Sequence, residues 1–325
     1  MDSCIHYYSD HSPVLQYRPR ELFLDNGAFS ASMNGNSLNP QRIMSIQESL
    51  MPSLTIPLDY PFGRHTFSQP QMARRWKKTT DNIVYWQNSS GLSGRLVPTL
   101  HAWSKASLES NVKWLSKHAD ATIIALGSLV DGENFSPETR GYFGDREPKL
   151  RTIDMIVNAI EATTTNTDFK IHLMGFGSSP LMLHLAYYLG VDSTDSSGHR
   201  RKAAYGKIVL QSTGERYLGA KIGVFGHGME LTNRRSSDVA ELDRCNCEIC
   251  LTNKDILWHD WRARAIHNEH VMKVESANAM LLKGLGEGAH SAYLESIFRK
   301  SSLARIWKYA RRKRQQLLHN GFGRQ

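Results

Sequence analysis

The chain has 325 residues, with 40 Lys and Arg against 31 Asp and Glu, a formal charge of +9 and a pI near 9.4. That length can bury a large core as one α/β barrel or as two smaller domains, and the positive field suits a polyanion such as nucleic acid. The start MDSCIHYYSDHS has neither the basic residues nor the apolar run of a secretory signal, and no window approaches 18 uninterrupted apolar residues, so the expectation is a cytoplasmic protein with no membrane span.

Along the chain, short apolar runs recur, each ending in turn-forming or polar residues: ELFLDNGAF, SLTIPLDYP, RLVPTLHAW, ATIIALGSLVDG, FKIHLMGFGSSP and GVDSTDSS. Between several of them lie helical patterns, SLESNVKWLSKHA from Ser107, KLRTIDMIVNAIEAT from Lys149 and SPLMLHLAYYLG from Ser179, while SSGLSG near Gly91 and ATTTNTD near Thr163 read as loops. Near-continuous apolar strands alternating with helices predict a parallel sheet covered by helices, and six or more such units predict an α/β fold of the (β/α)₈ TIM-barrel type. The active site of such a barrel gathers at the C-terminal strand ends. The residues there are Asp25, Asp59, His101, Gly127, Ser128, Gly175, Gly177 and Asp195. Each alone reads equally as turn chemistry or a helix start. Three carboxylates on one rim carry more weight, because crowded acids cost free energy unless a ligand or reaction uses them.

Further on, CNCEIC places three of the four cysteines within six residues, Cys245, Cys247 and Cys250. A reducing compartment disfavours disulfides. The short loops C-x-C and C-x-x-C provide three of the four sulfur or nitrogen ligands that zinc takes in a tetrahedron. The helical stretch ILWHDWRARAIHNEHVMKV offers His259, His267 or His270 as the fourth, with His267 preferred. A closed site of this kind is structural, so the catalytic residues lie elsewhere. The final segment SIFRKSSLARIWKYARRKRQQLL has Ile297, Phe298, Ile306, Trp307 and Ala310 at helical spacing with basic residues over much of the remainder. It predicts an amphipathic helix packed on the body, with a basic face able to meet phosphates. The expected division is residues 1–240 for the main part of the barrel, 241–280 for a zinc-binding subdomain and 281–325 for a basic helical segment closing the barrel.

Three of these stretches, in order, resemble the guanine transglycosylases, which exchange a base in nucleic acid for a 7-deazaguanine. LDNGAFS resembles the family's D-S-G-G-F-Q segment, HLMGFGSSPLMLHLAYYLGVDSTDS its L-M-G-V-G, helix and G-[IV]-D-x-F-D-C segment, and CNCEIC with AIHN its zinc ligands. The resemblance implies Asp195 as the nucleophile at the sugar's anomeric carbon, Asp25 as the proton shuttle for the departing and entering bases, and Asp59 as acceptor from the base's N–H groups. It also implies that the backbone amides of Gly127, Ser128 and neighbouring residues such as Gly175 help hold the base, that Phe29 and Met174 pack its two faces, and that His101 stands where the family has a base-touching glutamine. The chain departs from the family after the nucleophile, where SSGHRRKAAYGKIVL replaces C-V-L-P-T-R, and at Ser30. Those departures face the polynucleotide more than the base, and Arg200, Arg201 and Lys202 remain for phosphate contacts. The implied cofactor is structural Zn²⁺, and the implied substrate is DNA, with tRNA of the queuosine pathway as the alternative and a non-catalytic partner subunit as a third reading. A second copy of the chain or a helper ATPase are the protein partners this reading allows for.

Overall fold

The computed structural model describes residues 2–4, 21–62, 67–129, 148–211, 214–218, 229–230, 236–299 and 303–322. The end of ATIIALGSLVDG from Val130 and the Lys300 to Ser302 part of the C-terminal segment lie outside them. Contacts divide the chain into two compact units, residues 1–174 with 317–324, and residues 175–316 with 325.

In the first unit the strands are parallel. β1 (Asp2–Ser3) pairs β2 (Phe23–Asp25), which pairs β3 (Leu54–Thr55). A parallel bridge from Thr55 to Leu96 leads toward β4 (Thr99–Leu100), which pairs β5 (Ile123–Leu126), itself paired with β6 (Lys170–Leu173). Helices Pro40–Leu50, Gln69–Ser89, Lys105–His118 and Pro148–Asn166 stand between the strands, as a parallel sheet requires of its crossovers. The two-residue alternation of a strand separates two cores. Phe23, Leu54, Ile56, Val97, Ile123, Ala125 and Met174 pack on one face, while Leu22 and Leu24 turn the other way onto Ile43, Ile46, Leu50 and Trp86 of the helices. Gln47 ties the layers together: its amide donates to the Ile56 carbonyl at 2.8 Å and its oxygen accepts from the Trp86 indole at 2.6 Å.

Two sequence expectations change here. ATTTNTD is not a loop over its first part, because the Pro148–Asn166 helix runs through Thr163 to Thr165. Thr163, Thr165 and Asn166 turn their side chains back onto the carbonyls of Ala159, Glu161 and Ala162, which lets polar residues sit in a helix end. The helix read from Ser107 begins at Lys105, because Ser104 is its N-cap and Ser107 closes a reciprocal capping box with it.

The second unit carries β7 (Ser193–Thr194), an antiparallel pair of β8 (Lys207–Leu210) and β9 (Gly214–Tyr217), and β10 (Met229–Glu230) parallel to β9. Strands separated by so few residues can only pair antiparallel. Its longest element, the helix Trp261–Gly284, packs on the helices Pro180–Leu189 and Gly198–Ala204 and on β8. The helix Ala304–His319 is amphipathic as its spacing predicts: Ile306, Trp307 and Ala310 are buried, with Trp307 stacked on Phe298, while Arg305, Lys308, Arg311 and Arg312 are exposed.

Three helices of this unit meet in a buried polar chain. His184 Nε2 lies 2.8 Å from Glu275, His184 Nδ1 lies 3.3 Å from His290 Nε2, and the Tyr293 hydroxyl donates to Glu275 at 3.1 Å. Tyr188, one turn along the helix from His184, packs edge-on against the His290 ring. Burial first, then the charges of His184 and Lys283, hold His290 down from 6.5 to about 3. Below pH 6.5 the unfolded chain therefore takes up a proton that the fold refuses, so this group's contribution to stability is whole above 6.5 and is lost progressively toward pH 3. The urea midpoint of the wild type is expected to fall between pH 7.5 and 5.5, and to fall less for His290→Asn, which carries no proton. Equal slopes for the two proteins would exclude His290 as the cause.

Candidate active site and metal centre

At the end of β2 the sequence Asp25-Asn26-Gly27 turns the chain into the short helix Ala28–Met33. Gly27 adopts φ +80°, a conformation open to glycine, and its N–H donates to Asp25 Oδ2 at 3.2 Å. Asp25 Oδ2 also accepts from the Ser3 hydroxyl at 3.2 Å, from the neighbouring β1. Asn26 then joins two strand ends: its amide donates to the Pro57 carbonyl at 2.7 Å and to Asp59 Oδ1 at 3.0 Å, while its own oxygen caps the Ala28 N–H. The segment bearing Asp59 is fixed from the helix Gln69–Ser89, where Asn82 donates to the Leu58 carbonyl and Thr79 accepts the Tyr60 N–H. Asn26, the residue after Asp25, thus ties the end of β2 to the Asp59 carboxylate.

His101 closes the group. Its Nε2 lies 2.8 Å from Asp59 Oδ2 and its Nδ1 lies 3.0 Å from the Ser128 hydroxyl, which also accepts the Phe62 N–H at 3.0 Å. His101 is wholly buried, its carbonyl is held by Asn111, and the Phe62 ring lies against it at 5.3 Å. Both ring nitrogens are engaged within the protein, behind the Asp59 carboxylate. Gly127 leaves room for this ring: a Cβ there would sit 2.7 Å from both His101 Cε1 and Thr99 Cγ2. The Gly127 N–H donates to the Leu100 carbonyl at 3.1 Å as part of the parallel ladder. Ser128 takes φ +60°, rare for a residue with a side chain. Phe29, in the helix Ala28–Met33, is 38% exposed, whereas Met174 packs into the strand core.

In the second unit Asp195 follows β7. Its Oδ1 accepts the Gly175 N–H at 2.8 Å, and its carbonyl accepts the Gly177 N–H at 3.3 Å. Gly175 holds φ +72°. The approach to Asp195 is anchored by Lys283, which donates to the Val191 carbonyl at 3.0 Å and lies 3.6 Å from Asp192. Arg200 and Arg201 are exposed on the helix Gly198–Ala204, but Lys202 is engaged elsewhere. Its ammonium reaches the Ser178 carbonyl and lies 2.7 Å from Glu215, and burial lowers its pKa. Of the three cations expected to meet phosphate, two are exposed to do so.

Cys245, Cys247 and Cys250 converge with His267. Zn–S bonds of about 2.3 Å and a Zn–N bond of about 2.0 Å at tetrahedral angles would set nitrogen and sulfur about 3.5 Å apart. His267 Nδ1 lies 3.5, 3.6 and 3.4 Å from the three sulfurs, and all four ligand atoms fall within 4.8 Å of one another. His267 Nε2 is 3.1 Å from the Val209 carbonyl, so Nε2 carries the proton and Nδ1 turns its lone pair on the sulfurs. The thiols compete for protons: the hydrogen bond with Cys250 draws Cys245 down to about 3, and the same bond pushes Cys250 far up. Burial lowers His267, but bonds to Cys245 and Cys247 outweigh it and raise it to about 9. A divalent cation ends that competition by taking thiolates and a neutral imidazole. The four residues therefore fit structural zinc with no position left open. His270 instead meets Asn246 at 2.8 Å, and His259 caps a short 3₁₀ helix. Next to His267, Asn268 bonds the Val209 N–H and the carbonyls of His199 and Lys207, sewing the zinc helix to β8.

Asn26, Phe62, Asn82 and Asn268 escaped the sequence reading. Asn26 and Asn268 each sit inside a quoted motif, beside the residue that drew notice. Among the described residues, no helix is long and apolar enough to cross a membrane.

The family model described as queuine tRNA-ribosyltransferase matches residues 7–299. No curated protein matches the sequence. With that match over most of its length, a zinc-fitting Cys₃His cluster and parallel strands with intervening helices, the chain belongs to the queuine tRNA-ribosyltransferase family: it is a guanine transglycosylase, a pentosyltransferase of the (β/α)₈ class that acts on guanine in nucleic acid and carries a structural zinc site.

Proposed function

We propose that this transglycosylase replaces guanine in DNA with a 7-deazaguanine of the 7-cyano type, through a covalent glycosyl-Asp195 intermediate. What supports the reading is a held carboxylate in each unit: Asp59, bonded by the Asn26 amide next to Asp25, in the first, and Asp195, with one oxygen aligned by the Gly175 N–H, in the second. The Asp195 carboxylate attacks the anomeric carbon as the C–N bond to guanine breaks, and Asp25 gives the departing base its proton. The entering 7-deazaguanine surrenders a proton to Asp25, attacks the same carbon from the opposite face and releases Asp195. Two inversions leave the sugar configuration as it began. Asp59 reads the base's N–H edge, and the base reaches it only when unpaired or flipped from its stack. Zinc has no step in this sequence: it holds the fold. Exposed Arg200 and Arg201, with the basic face of the Ala304–His319 helix, supply sequence-independent phosphate contacts.

The match to a model described by a tRNA enzyme favours a second reading, tRNA as the polymer. The two separate in one assay: purified protein with radiolabelled guanine and either duplex or single-stranded DNA or unmodified tRNA. Label entering DNA is the expected result. Label entering only tRNA ends the DNA reading. Label entering neither assigns the chain the role of partner to an active subunit.

A further inference from the structure

The one feature of the base-reading group that the resemblance does not account for is the chain of bonds behind Asp59. A histidine with both nitrogens occupied stands where a glutamine would touch the base, and a serine in a left-handed conformation stands behind it. We infer that Phe62, Ser128 and His101 form a directional hydrogen-bond relay that fixes the His101 tautomer and thereby makes Asp59 a two-acceptor reader of guanine-type bases. This rests on the reading of Asp59 as the base-recognition residue.

The direction follows from counting donors. The Phe62 N–H can only donate, so it occupies one lone pair of the Ser128 oxygen. An Asp59 carboxylate can only accept, so His101 Nε2 carries the ring's single proton. That leaves Nδ1 as an acceptor, and the Ser128 hydroxyl hydrogen must point at it. The positive φ of Ser128 is the backbone cost of holding a hydroxyl at the meeting point of Phe62 and His101. Gly127 removes the side chain that would push the imidazole out of line, and Phe62 covers one side of the ring. Nothing in this arrangement lets His101 rotate to exchange nitrogens without breaking two buried bonds.

The consequence falls on the substrate. A carboxylate has about four lone-pair sites. Asn26 and His101 each take one, on different oxygens, leaving one site on each oxygen. Guanine and the 7-deazaguanines present two donors side by side, the ring N1–H and the exocyclic amino group. Hypoxanthine presents one of them and adenine presents an acceptor at N1. A fixed acceptor pair facing an edge that lacks a donor is left unpaired, which is the strongest form of rejection a site can offer. His101 is thus a positioning residue: it acts through Asp59.

The test compares wild type, His101→Leu, Ser128→Ala and His101→Gln for exchange of guanine and of hypoxanthine into the accepted nucleic acid. Loss of one aligned donor corresponds to roughly tenfold in binding. His101→Leu is expected to raise the KM for guanine by about that factor with kcat falling less, and to shrink the guanine over hypoxanthine preference similarly. His101→Gln, whose amide N–H can still donate to Asp59, is expected to recover most of the preference. In ¹⁵N-histidine spectra of the wild-type protein, the signals lost in His101→Gln are expected to report a proton on Nε2 and none on Nδ1, with Ser128→Ala disturbing both. A proton on Nδ1, or an unchanged preference in a His101→Leu protein that still exchanges guanine, overturns the relay alone. A wild-type protein that exchanges guanine into no nucleic acid overturns the reading of Asp59 and the relay's role with it.

Discussion

Asp195→Asn is expected to lower base exchange by about 10⁴-fold or more, the range seen when a covalent nucleophile is removed. The substitution is nearly isosteric, and its carboxamide oxygen can keep the 2.8 Å bond from the Gly175 N–H. The segment should therefore hold its shape while the charge that attacks the anomeric carbon is lost. Two measurements accompany the rate. Zinc content and urea midpoint should match the wild type, because the substitution keeps the side chain's shape and leaves the four ligands Cys245, Cys247, Cys250 and His267 in place. A denaturing gel of wild type quenched with nucleic acid, without an incoming base, should show a protein–nucleic acid adduct that the variant cannot form. An Asp195→Asn enzyme with more than a few per cent of wild-type exchange, or one that still forms the adduct, removes Asp195 from the nucleophile's role and returns the question to Asp25 and Asp59.

The second large effect concerns the metal. Cys247→Ser, or prolonged chelation of the wild type, is expected to release zinc and to destabilise residues 236–260. That loss should be visible as new protease cleavage there and as a lowered melting midpoint. The reason lies in how little else holds this region. Its apolar cluster is small, Ile208, Leu210, Leu218, Leu242, Leu257 and Ala263 with a few half-buried neighbours, and two of its helices span only Ser236–Arg244 and Glu248–Asn253. A structural zinc site contributes folding free energy on the order of 10 kcal/mol in small domains, far more than such a cluster can offer. Cys247 is the cysteine ligand most deeply placed: it is buried, and its sulfur caps the Cys250 N–H in the first turn of the second short helix. Exchange activity should fall only as the region unfolds, because His267 and Asn268 hold β8 and the carbonyl of His199 near the Asp195 segment. A metal-free protein with wild-type stability would show that the four ligands are not the clamp their spacing implies.

The sequence by itself determined whatever depends on local spacing. Cys-x-Cys-x-x-Cys brings three sulfurs together whatever the rest of the chain does, since five bonds of loop leave few other arrangements. The βα alternation, the amphipathic C-terminal helix and the ordered series of family segments are likewise written in runs of neighbouring residues. Lys202 and the ATTTNTD stretch were less legible. A lysine's partner, here Glu215 and the Ser178 carbonyl, arrives from elsewhere in the chain. A threonine run becomes helix when its hydroxyls find carbonyls one turn back.

What only the tertiary structure decided is the identity and direction of partners. His267 and His270 lie one turn apart on the same helix, so periodicity cannot choose between them. The choice is made by the Val209 carbonyl, 58 residues away, which fixes which nitrogen of His267 faces the thiols. Asp59, His101, Ser128 and Asn26 come from four separate strand ends, and in sequence each is an ordinary turn residue. Folding gives the buried donors and acceptors of this group their partners, because an unpaired polar group in the interior is costly. That requirement acts across distances no local pattern can register, and it leaves at Gly127 the space that the His101 imidazole needs.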